Sequence, residues 1–420
     1  MRKNIFSFID MRYTFLGLFV FIIGCSSPLH KDNLLTMNVE NAFDNPCDIF
    51  LSDFATEIEY IPLETIRESV TGGYLRVFAT GRYIIAVAFR QNYLFDRKTG
   101  KFIREIGRYG RGPNEYMSTT HSVPFDEDRQ TIRSSANDPQ KNIEYDLNGF
   151  VVRSLLFPPK NKPKYNMWSE MIPLNDKYFV TYVMNNSGNE TDKLIVFDEK
   201  GNVYARFPNH HTFEINPKHA GSFTTSGQVF YKWKNDVFFY ENCVDTLFRV
   251  TKDEIFPCYH LQLGKYNPPY SEKSNLPWGD PDPFGDNKMR YNFFEFQTIN
   301  ESERFLFFSF LYGKGDPIAN IQPIFFGYYD KELNITKISK VDQIKISPVI
   351  NDLDDFAPLH PTRWSINNSG EMIAYMEAGD IEEWFDANPE KAKILPDHLK
   401  ILSKLTSEDN PVIIIAKLKQ

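Results

Sequence analysis

From about residue 74 the chain alternates short apolar runs with polar turns, and the same cadence keeps returning. Over residues 83–116 an apolar run at 83–89 meets a polar break at Arg90, Gln91 and Asn92. A second run at 93–95, the turn Lys98-Thr99-Gly100 and alternating Phe102, Ile103, Glu105 and Ile106 follow before Gly107. Apolar runs this short between turn residues predict a meander of strands, and glycine supplies the positive φ that a tight hairpin demands. One meander cannot cover both faces of its own sheet, so its recurrence decides the architecture.

The pattern recurs over residues 121–157, 167–208, 228–264 and 290–342. An aromatic residue followed by Asp stands ahead of a tight turn at Phe95-Asp96, Tyr145-Asp146, Phe197-Asp198 and Tyr329-Asp330. A sixth unit begins at His360, breaks at 382–408, where Ala392, Leu395, Leu399, Leu402 and Leu405 have helical spacing, and resumes at 412–418. It is one strand short, while residues 57–63 form a lone alternating strand near the other end of the chain. The simplest account is an all-β, six-bladed β-propeller over residues 54–420. Its last blade is closed by the N-terminal strand, which covers both open edges, and carries a small helical insertion.

The N-terminus follows a different pattern. Arg12 precedes an eleven-residue apolar run, 13–23, and then Gly24-Cys25-Ser26-Ser27. Such a run suits a signal peptide and is too short for a membrane span, which needs ~20 residues. The small residue before Cys25 resembles the lipobox of bacterial lipoproteins, which implies a signal peptide over 1–24 and lipidation at Cys25. The expected location is the cell envelope, held to the outer membrane by the lipid anchor on either its periplasmic or its outer side. Residues 25–53, polar and without period, read as a tether.

Composition supports the β class: 37 Phe and 22 Tyr suit pleated, half-buried surfaces. The net charge of −8 with dispersed Lys and Arg argues against a nucleic-acid partner. With Cys25 assigned to lipid, Cys47, Cys243 and Cys258 are an odd number, so at least one stays a thiol. A Cys243–Cys258 bridge is open on sequence, although a turn and a later strand out of register place them poorly for one.

Tyr60-Ile61-Pro62-Leu63-Glu64-Thr65, the run 102–116 with Gly110-Arg111-Gly112-Pro113-Asn114-Glu115-Tyr116, and the ending that opens with Asn410-Pro411-Val412 together resemble the six-bladed β-propeller lipoproteins of unknown function found in Bacteroidota. The resemblance implies the propeller and its envelope location, and brings no catalytic set. Asn114 stands where that family usually has Gly; asparagine tolerates the left-handed conformation, so the loop shape is expected to survive.

Binding residues concentrate on long loops carried by a rigid scaffold. The inter-blade connections and the second-to-third strand loops are therefore the expected ligand face. Arg108, Arg111, Glu115 and Tyr116 form a Gly-rich candidate for an anion, with a structural crossover locked by Glu115 and Tyr116 as the alternative reading. Residues 265–289 mix Tyr266, Tyr270, Trp278 and Phe284 with Pro and Asp, which suits stacking on a glycan or a peptide proline, or simply a packed cap. Asp280, Asp282 and Asp286 lack the glycine and distal Glu of a calcium loop, and His210, His211, His219 and His360 lack a convergent third ligand. No metal or cofactor is therefore expected. Neither a nucleophile elbow nor a spaced acid pair among Glu64, Glu68, Glu115, Asp280, Asp282 and Asp355 selects a catalytic set. The expected role is a lipid-anchored binding module that captures a glycan or peptide, or docks to an outer-membrane transporter complex. The alternative is a glycoside hydrolase or lyase using acids at the channel mouth.

Overall fold

Each of the repeated meanders closes into a small antiparallel sheet of its own. The computed structural model describes residues 34–72, 75–119, 123–159, 170–185, 187–214, 227–275, 292–313, 322–342, 346–361 and 364–420. In blade 1 the strands run outward as Arg76–Ala79, Tyr83–Val87, Asn92–Asp96 and Phe102–Glu105. Blade 2 shares its inner position between Tyr116–Ser118 and Phe125–Asp126, followed by Thr131–Ala136, Lys141–Asp146 and Val151–Leu156. Blade 3 holds Ile172–Pro173, Tyr178–Tyr182, Asp192–Asp198 and Val203–Pro208; blade 4 holds Gln228–Trp233, Asp236–Glu241, Thr246–Val250 and Ile255–Leu261. Blade 5 is Glu295–Glu301, Phe305–Leu311, Ile324–Asp330 and Ile335–Ile338. The sixth is Ser365–Ile366, Glu371–Met376 and Val412–Leu418, completed by Ala55–Pro62. The protein is a six-bladed β-propeller.

Closure follows the expectation: the N-terminal strand completes the last blade. The N-terminal strand lies antiparallel on the C-terminal one from Ala55 opposite Leu418 to Pro62 opposite Val412. Every unpaired N–H and C=O of an open edge would otherwise offer a template for another chain. Blades 6 and 1 then share one apolar layer, in which Ile373, Ile413 and Ile415 pack with Ile84, Ala86 and Phe95.

The repeated aromatic–Asp pair has a local physical cause. Asp146 Oδ1 accepts from the backbone N–H groups of Asn148 and Phe150, both at 2.9 Å, and Asp198 Oδ1 accepts from those of Lys200 and Asn202, also at 2.9 Å. Asp330 Oδ1 does the same for Glu332 and Leu333. The carboxylate satisfies the donors that the third-to-fourth strand turn leaves open, while the preceding aromatic side chain is buried.

Two boundaries differ from those expected. Residues 34–53, which read as tether, are part of the fold. Leu35–Met37 adds a fifth, parallel strand to the outer edge of blade 4, the helices Val39–Asp44 and Leu51–Phe54 follow, and single bridges join Cys47 to Ser339 and Phe50 to Ile350. Met37, Val39, Ile49 and Leu51 are wholly buried. Met37 and Val39 pack into the core of blades 4 and 5 and Ile49 and Leu51 into that of blades 5 and 6, so the segment follows the surfaces it crosses and carries no period of its own. Tyr116–Ser118, expected in a connection, is instead half of an inner strand.

Antiparallel pairing sets two faces. First-to-second and third-to-fourth strand turns, all short, lie on what we call the lower face; the long connections and the helical insertion lie on the upper face. In the insertion, Leu395, Leu399 and Leu402 are buried against the core of blades 5 and 6, as their spacing predicts. Pro389 and Pro396 divide it into the short helices Ala378–Ala387, Pro389–Ile394 and Asp397–Lys400.

Candidate functional site

The innermost strand of each blade has one hydrogen-bonding edge with no further strand beside it, and that edge meets the propeller axis. Along Arg76–Ala79 the exposure alternates, with Arg76 and Phe78 half-buried and Val77 and Ala79 buried. Such period-two alternation turns Val77 and Ala79 toward blade 6 and Phe78 toward Phe125 of blade 2, with Arg76 on the same side as Phe78, and all four residues line the cavity. The inner strands of blades 1, 4, 5 and 6 and the Phe125 segment of blade 2 bound an axial cavity of about 500 Å³. Blade 3, whose inner strand is only Ile172–Pro173, contributes no described residue to its lining. In blade 5 a bulge between Phe296 and Thr298 brings both Gln297 and Thr298 into the wall.

Each inner strand runs from the upper to the lower face, so its first residues stand at the upper mouth and its last at the floor. The floor is closed by side chains reaching across the axis. Lys232 Nζ of blade 4 donates to Asp126 Oδ1 at 3.1 Å and Asp128 Oδ2 at 2.6 Å of blade 2. From blade 6, the Asn368 backbone N–H donates to Glu127 Oε2 at 2.8 Å and its Nδ2 to Asp128 Oδ1 at 2.9 Å. Burial pushes the Asp126 carboxyl up, but Lys232 and Arg133 outweigh it and hold the group below its ordinary value. For Glu127 burial wins: its pKa is raised despite the Asn368 hydrogen bond.

At the upper end the wall is less settled. Arg76 makes no ion pair among the described residues, and its Nη1 is buried without an acceptor. Trp364, 7% exposed and edge-on to Phe326, has a buried Nε1 in the same condition. Phe78 and Phe125, with ring centroids 5.8 Å apart, supply an apolar wall between blades 1 and 2.

The residues singled out from sequence fall elsewhere. Arg108, Glu115 and Tyr116 form one knot at the blade 1 to blade 2 connection. There the Tyr116 N–H donates to the Arg108 carbonyl, the Gly112 N–H donates to Glu115 Oε2 at 2.8 Å, and Arg108 Nε lies 3.4 Å from Glu115 Oε1. A Cβ on Gly110 would meet Glu115 Oε2 at 2.0 Å, so glycine leaves the room that this carboxylate fills. Tyr116 is wholly buried, donating to Glu105 Oε1 at 3.2 Å, whereas Arg108 and Arg111 are exposed. Tyr270 stands apart from them, its ring stacked on His211 at 4.7 Å and its hydroxyl donating to the buried Glu241. Trp278, Cys25, His219, Asp280, Asp282 and Asp286 lie outside the described residues. His360 pairs with Asp342 at 2.9 Å, far in sequence from His211, and among the described residues no three metal-ligating side chains converge. Cys47, Cys243 and Cys258 are thiols rather than disulfides.

The cavity-lining residues escaped sequence reading because they are short segments drawn from five separate units, spread from Arg76 to Asn368 along the chain. Their one signal was a polar residue opening the apolar first strand of a unit, as Arg76 and Gln228 do.

A family model described as a domain of unknown function, DUF4934, matches residues 34–417, the whole ring with its N-terminal wrap. The chain belongs to the DUF4934 family. The solved structure of a "putative exported protein" from Bacteroides fragilis NCTC 9343 shares the fold of this DUF4934 chain, with a TM-score of 0.64 at 16% identity, over 92% of this chain and 100% of that one. A member of the DUF4221 family from Bacteroides vulgatus ATCC 8482 aligns with a TM-score of 0.49 at 12% identity, over 87% of this chain and 97% of that one. No curated protein matches.

Proposed function

We propose that this DUF4934 protein is an envelope binding module that holds a small ligand in its axial cavity. The carrying observation is a cavity of about 500 Å³ with a floor sealed by cross-axis hydrogen bonds and a wall of mixed apolar and polar side chains. Pockets of this size with a few converging polar groups are the common form of a small-molecule site. The lipobox-like Gly24-Cys25 supports anchoring to a membrane, and the exported relative fits an extracytoplasmic location. In this reading the ligand enters from the upper face, where exposed Arg108 and Arg111, with Tyr270, form the approach. Handing it to an outer-membrane uptake complex is the matching partner role.

One observation favours hydrolysis as a second reading: Glu127, its pKa raised by burial, shares the cavity floor with Asp128. Both are engaged in the floor, which favours the binding role.

A thermal-shift screen against glycans, peptides, nucleotides and divalent metals tests the proposal, since a ligand that binds only the native state raises Tm with the logarithm of its excess. A saturable shift is expected for a glycan or a peptide. No shift across the panel would count against a small-ligand role, and glycan turnover abolished by Glu127→Gln would replace it with the hydrolase.

A further inference from the structure

The upper part of the cavity carries a charge that no described residue balances. Ser365 Oγ of blade 6 donates to the Val77 carbonyl of blade 1 at 2.7 Å, and Asn367 Nδ2 donates to the Ala79 carbonyl at 3.2 Å. These two bonds set the inner strands of blades 6 and 1 in step, residue for residue. Trp364 therefore stands level with Arg76 across the blade junction. Each carries a buried N–H donor without an acceptor, and both belong to the cavity wall. A half-buried guanidinium with no carboxylate partner is costly, and native proteins leave few buried donors unsatisfied. Both donors leave the wall of this cavity open to an acceptor, and Arg76 is the one that carries a charge.

We infer that the cavity takes a small molecule through a carboxylate group, which docks at Arg76. The inference rests on the binding-module reading and adds the ligand's chemistry to it. Arginine's planar fork matches a carboxylate with two parallel donors. The floor argues for a single negative charge: Asp126, Glu127 and Asp128 there face Lys232, so a dianion such as a phosphate monoester would meet repulsion from below. Phe78 and Phe125 suit an apolar or ring-shaped body below the carboxylate, and Gln228, Gln297 and Asn300 supply amides for hydroxyl or peptide groups. An acidic sugar and a short peptide with a free C-terminus share this chemistry.

Calorimetric titration of the full chain with two matched pairs separates these sources and tests the inference: methyl galacturonoside, with its single carboxylate, against methyl galactoside, and N-acetyl-dialanine against its amide. In at least one pair the carboxylate member is expected to bind about tenfold tighter or more, the usual scale of a charged hydrogen bond. Arg76→Gln should abolish that difference while Arg76→Lys retains part of it. Because Arg76 has no ion-pair partner to lose among the described residues, Arg76→Gln without ligand should keep or raise Tm, which a structural arginine would not do. Equal binding of neutral and acidic members, unchanged by Arg76→Gln, overturns the carboxylate inference and leaves the binding module standing. A clear fall in ligand-free Tm for Arg76→Gln overturns it by making the arginine structural. Absence of binding by all four compounds overturns it and counts against the module as well.

Discussion

Glu371 and Glu127, both on the lower face, respond to folding in opposite directions. Glu371 receives the Arg97 fork, Nη2 to Oε1 at 2.7 Å and Nη1 to Oε2 at 2.8 Å, a tie between blades 1 and 6, and Asn367 Nδ2 donates to it at 2.7 Å. The Arg97 hydrogen bonds outweigh burial and hold its carboxyl below the usual glutamate value. An acid with a depressed folded pKa contributes stability that is present above its unfolded pKa, about 4.3, and is lost as pH falls through the folded one. Glu371→Gln should therefore lower the urea midpoint at neutral pH, and the gap from the unaltered protein should close in acid. Glu127 has the reverse sign. Its folded pKa is raised, so its ionisation opposes folding at neutral pH, and Glu127→Gln should raise the midpoint there, with the gain fading as pH falls toward about 4.3. A neutral-pH loss in Glu127→Gln would mean that the Asn368 hydrogen bond needs the charge.

At the scale of elements, what was legible in the sequence was what local chemistry fixes. The aromatic–Asp turns stood out because each Asp bonds backbone N–H groups two to four residues ahead, so the cause and its sequence signal share one short stretch. The closing strand was legible for a different reason: a lone alternating strand and a blade one strand short have a single mutual solution. The N-terminal wrap was illegible, because its partners are distant. Phe43, on the helix Val39–Asp44, meets the rings of Tyr266, Phe294, Phe310, Tyr312 and Phe325 edge-on, at centroid distances from 4.8 to 5.9 Å. Nothing in residues 34–54 announces that aromatic socket. If the wrap stabilises the ring as this packing indicates, Phe43→Ala should cost about 2–3 kcal/mol in equilibrium unfolding, somewhat below a fully buried phenylalanine because Phe43 keeps some exposure. A change within about 0.5 kcal/mol, the range of an ordinary surface substitution, would make the wrap a passive cover.

At the scale of the whole molecule, the axial cavity is a property of no single blade, and the same holds for its floor. The long upper loops drew attention in the sequence because length is visible there, whereas convergence on an axis becomes visible only once six inner strands share it. The floor joins blades 2, 4 and 6, which are not neighbours in the ring, so it resists splaying in a way that blade-to-blade packing cannot. Its centre is Asp126, 1% exposed, for which Lys232 Nζ at 3.1 Å is the close cation, with Arg133 Nη1 only at 4.0 Å. Lys232→Met would keep most of the side-chain volume and leave a buried carboxylate without its near partner. Breaking a buried pair from one side costs about 3–5 kcal/mol, because the remaining charge stays desolvated. A loss of about 3 kcal/mol in urea unfolding is expected, at the low end because Arg133 persists. Adding Asp126→Asn to Lys232→Met should restore much of it by removing the stranded charge, a non-additivity that a double-mutant cycle reads directly. If Lys232→Met costs under about 1 kcal/mol, the value of an exposed pair, the arginines of blade 2 suffice for Asp126, and the cross-axis lysine only narrows the channel.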